Sequence, residues 1–168
     1  TTAIAAVLAF SSGFPGITEE SIKKALGGMV IPGRFETLHE RPRVIFDPAH
    51  NFQAVAAVIE EASGRFNSKN LVVALSMMAD KDYGRIIEWL ISKDISLVYY
   101  NLPGPRSFRI EGDGTAPWPV DTAATIPDLY RAVSPGKDSC LLFTGSFRLY
   151  GTAREFTLYG NLKGWKKP

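Results

Sequence analysis

Apolar positions along this chain follow two alternating rhythms. Val44-Ile45-Phe46, Leu71 to Leu75, Ser96 to Tyr100 and Ser139 to Thr144 are short, nearly continuous apolar runs. That is the pattern of strands buried on both faces. Phe35 to Leu38 reads as a further short strand. Between these runs the apolar residues return every three or four positions, as on a helix with one buried face. Asn51 can cap a helix running to about Ala62, with Val55, Val58 and Ile59 on one side. Tyr83 to Ile91 places Ile86, Ile87 and Leu90 inward. Ile126 to Val133 and Phe147 to about Phe156 read as two more helices.

The first thirty residues have a different texture. Thr2 to Ser11 is apolar nearly all round, which predicts a helix buried on most sides. Ser11-Ser12-Gly13 stops it. Thr18 is an N-cap for a second helix, where Glu19 and Glu20 precede Lys23 and Lys24 in the order the helix dipole favours. Pro32-Gly33 then breaks the chain. Residues 101–119 are dense in proline and glycine and predict a long loop, and the basic segment from Gly160 to Pro168 a loose tail. Strands alternating with helices of about ten residues predict an α/β fold. The expected architecture is a doubly wound, mainly parallel sheet of about six strands with helices on both faces. Ligands in such a sheet sit at the carboxyl ends of the strands.

Composition narrows the chemistry. The 168 residues are 45% hydrophobic and 21% charged, enough to bury a core and unlike a disordered tail. A net charge of +2, evenly spread, gives no footprint for nucleic acid or an anionic membrane. The longest apolar stretch, Ala3 to Phe10, falls far short of the roughly 20 residues that span a bilayer. A single cysteine, Cys140, builds neither a disulfide framework nor a thiolate metal site, and fits a reducing, cytoplasmic setting. With only His39 and His50 there is no histidine-rich metal site. The chain opens with Thr1 rather than Met, and reads as a piece of something longer.

Three segments place polar groups where such a sheet binds ligands. Asp47-Pro48-Ala49-His50-Asn51 follows the Val44–Phe46 strand, bringing an acid, a histidine and an amide to one turn. On its own it can equally be a turn whose Asp47 and Asn51 satisfy cap amides. Thr144-Gly145-Ser146 opens the last helix, where small residues let a ligand approach and free amides favour an anion. Ser76-Met77-Met78-Ala79-Asp80-Lys81-Asp82 brings an acid and a lysine toward the same rim. The chain carries no G-x-x-x-x-G-K-[ST] phosphate loop, no G-x-G-x-x-G fingerprint and no G-x-S-x-G elbow.

Pro32-Gly33-Arg34-Phe35-Glu36, then ten residues, then Asp47-Pro48-Ala49-His50-Asn51, resembles the start of the C-terminal domain of the Mur ligase superfamily. The likeness is greatest to folylpolyglutamate synthase/dihydrofolate synthase, whose segments read P-G-R-[LF]-E and D-G-A-H-N. Met78-Ala79-Asp80-Lys81-Asp82 resembles the family's M-x-D-K-D stretch, Pro105-Arg106-Ser107 its P-R-A, and Thr144-Gly145-Ser146-Phe147 its T-G-S-[LF] turn. Pro48 stands for the usual glycine and Phe52 for the proline that often follows; neither removes a functional group. The D-N-P-R segment of diaminopimelate-using Mur ligases is absent, which favours the folate branch over the peptidoglycan branch.

The resemblance implies residues 1–31 as the last helices of a central ATPase domain plus linker, 32–160 as the C-terminal domain, and 161–168 as a basic tail. It implies an enzyme in which ATP and Mg2+, held mainly by the absent central domain, activate a folate or dihydropteroate carboxylate as an acyl phosphate. Glutamate then attacks to form the amide. It assigns no catalytic residue here. It implies Arg34 at the ATP phosphates, Asp47 at the nucleotide ribose, and His50 and Ser146 around the incoming glutamate, with Asn51, Asp80, Lys81 and Arg106 on the rim. A non-catalytic α/β module binding an anion or a protein partner is the alternative from the residues alone.

Overall fold

The computed structural model describes residues 5, 7–9, 13–14, 16–28, 31–66, 70–112, 116–136 and 138–165. The chain divides into two compact units, Thr1–Pro32 and Gly33–Pro168. In the first, Ala5 and residues 7–9 are helical, and Val7 and Leu8 are exposed rather than buried on most sides. The rest of the predicted Thr2–Ser11 helix lies outside the described residues. Helix α1 (Glu19–Gly27) begins at Thr18 as expected. Thr18 Oγ1 accepts from Ser21 N while Ser21 Oγ accepts from Thr18 N, a reciprocal cap.

The second unit is built on a six-stranded sheet. Its elements are β1 (Glu36–Glu40), β2 (Arg43–Phe46), α2 (Phe52–Arg65), β3 (Leu71–Leu75), α3 (Tyr83–Ser92), β4 (Ser96–Tyr100), β5 (Asp121–Ala123), α4 (Ile126–Val133), β6 (Cys140–Thr144) and α5 (Leu149–Leu162). The strand order is β1-β2-β6-β3-β4-β5. Only the β1–β2 hairpin pair is antiparallel; β2–β6, β6–β3, β3–β4 and β4–β5 run parallel. The doubly wound, mainly parallel α/β fold expected from the alternating rhythms is the fold observed.

Period-two alternation splits the core into two layers. Ile45, Val73, Leu75, Leu97, Tyr99 and Leu142 face α2 and α3. Val44, Phe46, Ala74, Val98, Leu141 and Phe143 face α4 and α5. Each helix commits a few side chains to its layer, such as Val55, Ile59 and Ala62 of α2. Both edge strands are short or polar, which discourages further strand addition.

The long loop predicted over 101–119 is a loop among its described residues, pinned in its middle where Asn101 exchanges two hydrogen bonds of 2.9 Å with the Ile110 backbone. The Tyr99 hydroxyl accepts from Met77 N and donates to Phe108 O. Two further expectations needed correction. The last helix begins at Leu149, leaving Phe147 in an exposed turn. The tail is not loose as far as Trp165, whose ring packs against His39, Tyr130 and Phe156. Gly160 makes room for it, since a Cβ there would lie 2.3 Å from the indole.

Burial pushes the Tyr99 phenol up to about 12. The folded state therefore prefers the protonated form. Its contribution to stability is whole below pH 10, the ordinary phenol value, and is lost as pH rises toward 12. Tyr99→Phe is expected to cost about 1–3 kcal/mol at neutral pH by orphaning the buried Met77 amide. The same variant should flatten the alkaline loss of stability, as read by denaturant titrations at pH 7 to 11.

Candidate functional site

The parallel register makes one rim. Phe46 is level with Phe143, Phe143 with Ala74, and Leu75 with both Thr144 and Tyr99. The carboxyl ends of β2, β6, β3 and β4 therefore open side by side, at the place where the chain turns back to insert β6 between β2 and β3.

Past β2, the Asp47 carboxylate is spent on the backbone. Its Oδ1 accepts from Ala49 N and its Oδ2 from Phe35 N, both at 2.9 Å. Asp47 is only 8% exposed. Phe35 sits at φ +42, a left-handed conformation costly for a bulky side chain, so this carboxylate holds a strained turn in place. Glu36 holds the other side, accepting from Gly33 N and from the Tyr150 hydroxyl. Arg34 projects from between these two anchors. It is exposed, and among the described residues it makes no hydrogen bond or ion pair.

The next two loops are locked together. Ala49 O accepts from Gly145 N at 2.8 Å and from the Thr144 hydroxyl at 3.3 Å. His50 is exposed, with Nδ1 against Pro48 O at 3.0 Å. Asn51 caps α2 through Ala54 N. Phe52, at the first position of α2, packs its ring edge-on to Trp89 and under the Arg85 guanidinium. The Phe52 ring is thus taken up by packing between α2 and α3.

Ser146 is buried, and its Oγ accepts from Arg148 N at 3.2 Å. It lines a cavity of about 670 Å3 together with Asp80, Lys81, Pro105, Arg106 and Arg148. Lys81 pairs with Asp80 at 3.1 Å and holds that carboxyl below its usual range. The wall carries three basic side chains against one carboxylate, so it suits an anion. Of the residues expected at the site, Ser146, Asp80, Lys81 and Arg106 meet in this cavity. Arg34, Asp47, His50 and Asn51 lie outside its wall, on the loops beside β2. Arg148 was missed by the sequence reading, although an arginine at the positive end of a helix is an oddity the sequence displays.

Among the described residues no three His, Cys, Asp or Glu side chains converge to hold a metal ion. Also among them, no helix is long and apolar enough to cross a membrane.

The chain is similar to known proteins in sequence and in fold. The family model described as Mur ligase, glutamate ligase domain, matches residues 33–147. Dihydrofolate synthase/folylpolyglutamate synthase of Escherichia coli is 31% identical over 160 residues, covering 92% of this chain and 36% of that protein. The Mycobacterium tuberculosis protein of the same description is 26% identical, covering 84% and 33%. The chain thus spans about a third of the length of these relatives. In fold it is similar to Mycobacterium tuberculosis folylpolyglutamate synthase complexed with ADP, at a TM-score of 0.65 and 22% identity over 94% of this chain and 38% of that one. It is also similar to the Yersinia pestis bifunctional synthase complexed with AMPPNP and Mn, at 0.64 and 20% identity over 86% and 35%. A further bifunctional synthase structure, with Mn, AMPPNP and L-glutamate bound, matches at 0.64 and 20% over the same shares.

Proposed function

Because the chain belongs to the Mur ligase family through its glutamate ligase domain, we propose that it is the amino-acid-binding lid of an ATP-dependent folylpolyglutamate/dihydrofolate synthase. The named relatives support this folate reading over a peptidoglycan ligase. The observation that carries it is the separation of two polar sites on one rim. A cationic cavity around Ser146 suits the carboxylates of glutamate, while the exposed Arg34 guanidinium on its pinned loop suits a phosphate group.

In this reading ATP supplies the activation that turns a folate or dihydropteroate carboxylate into an acyl phosphate. The lid's residues bind and orient the attacking amino acid and shield it from water. Arg34 reaches the phosphates as the lid closes. Asp47 serves the nucleotide chiefly by holding the turn that aims Arg34, since both its oxygens already accept amides. Magnesium and most of the triphosphate are held outside this chain, in a preceding domain. Residues 1–31 are the end of that domain and its linker, in keeping with the boundary of the compact units at Pro32.

Two measurements test this. Calorimetric titration of the 168-residue chain with AMPPNP should show no micromolar binding, because a single guanidinium cannot replace a phosphate loop. The full-length protein should turn over ATP to ADP repeatedly only when glutamate and a folate or dihydropteroate acceptor are both present. Micromolar binding by the chain alone, or turnover with a peptidoglycan precursor instead, would overturn the reading.

A further inference from the structure

We infer that Arg148 is the residue that selects an acidic side chain on the incoming amino acid, an inference that rests on the amino-acid-binding role proposed above. Arg148 stands at the N-cap of α5, where its backbone N–H is already capped by Ser146 Oγ. A cation at the positive end of a helix dipole is disfavoured. The first turn of α5 holds no acid to offset it. Such a placement needs a reason elsewhere.

The side chain is tied down at two points. Nη1 donates to Ser107 Oγ at 2.9 Å and Nη2 to Pro103 O at 2.6 Å. Both acceptors are neutral, so the charge remains uncompensated. Gly104 allows this approach, since a Cβ there would lie 3.1 Å from Nη2. A guanidinium has five N–H donors, and two are used here. The remaining donors belong to a planar fork whose orientation is fixed before any ligand arrives, which lowers the entropy lost on binding.

Across the cavity Asp80 is paired with Lys81 and also feels the charge of Arg106, whereas Arg148 makes no ion pair among the described residues. With Lys81, Arg106 and Arg148 against the one carboxylate of Asp80, the wall carries two positive charges in excess. One carboxylate, as in a neutral amino acid, would leave one of these charges unmatched. An amino acid with two carboxylates satisfies both. Of the two arginines, Arg106 carries no side-chain tether, while Arg148 is fixed. A fixed fork discriminates a carboxylate from an amide better than a mobile one, because it cannot swing away from the mismatch.

The test uses the 168-residue chain in 15N–1H NMR titrations with L-glutamate and L-glutamine. The chain should bind glutamate about tenfold or more tightly than glutamine. Arg148→Ala should abolish that preference while leaving glutamine affinity within about twofold, and Arg148→Lys should keep part of it. Ser107→Ala, which cuts one tether but leaves the guanidinium and its bond to Pro103 O, should weaken the preference much less than Arg148→Ala does. Unchanged preference in Arg148→Ala would overturn the inference, as would equal loss in Ser107→Ala, which would make Arg148 a loop fastener only. If the wild-type chain shows no shifts around Ser146 with either amino acid, the binding role itself fails, and this inference with it.

Discussion

Replacing Gly145 by alanine should destabilise the Gly33–Pro168 unit by about 3–5 kcal/mol, a fall in Tm on the order of 10 °C. Two independent causes add. Gly145 has φ +102, a backbone conformation that L side chains rarely adopt. A Cβ there would lie 2.4 Å from Ser76 O and 2.8 Å from both Leu75 Cδ1 and Met77 Sδ. The carbonyl is backbone at the end of central strand β3, so it cannot swing aside. Ser76 N also accepts its place by donating to Thr144 O at 3.2 Å, so relief of the clash must part β3 from β6. Gly151→Ala is the internal control. Gly151 is exposed on α5 with nothing near its missing side chain, so alanine there should stabilise by about 0.5–1 kcal/mol. Thermal melts of the two variants should move in opposite directions.

The second large effect belongs to Arg34, in the full-length protein acting as the ligase proposed above. Its guanidinium is offered on a turn fixed by Asp47 and Glu36, with no hydrogen-bond or ion-pair partner among the described residues. Such a contact pays most where charge develops on a transferring phosphoryl group in a closed, dry site. Arg34→Ala should lower kcat/KM by roughly 30- to 1000-fold, equivalent to about 2–4 kcal/mol. Arg34→Lys keeps the charge but not the fork, so an intermediate loss is expected. Asp47→Ala should reproduce much of the loss by releasing the Phe35 turn. A change of less than about threefold in Arg34→Ala would mean that the side chain stays in solvent throughout the reaction.

The interior of this fold was legible from the sequence because its signal is burial. Strands β3 and β4 and helix α4 appear with the boundaries their apolar runs predict. Strand β5 was not anticipated. It is three residues long, begins with Asp121 and Thr122, and gains its strand character from pairing with β4 rather than from its own composition. The tail looked loose because its basic residues hid one aromatic anchor, Trp165, whose partners lie far away in sequence. At the site, the motifs identified the residue types but not their engagement. The sequence left Asp47 open between a ligand contact and a turn, and could not show that Phe35 N, twelve residues away, occupies it. Arg148 carried no motif at all, and only the fold brings Pro103 and Ser107 beneath it.

The central claim is that the cavity around Ser146 receives the amino acid while the nucleotide is gripped elsewhere. Steady-state kinetics of Ser146→Ala in the full-length enzyme, varying glutamate and ATP in turn, tests it most directly. The account predicts a rise in the KM for glutamate of roughly tenfold, from one lost hydroxyl contact and a disturbed α5 start, with the KM for ATP within about twofold of wild type. Small and equal changes in both constants, or a rise confined to ATP, would contradict it.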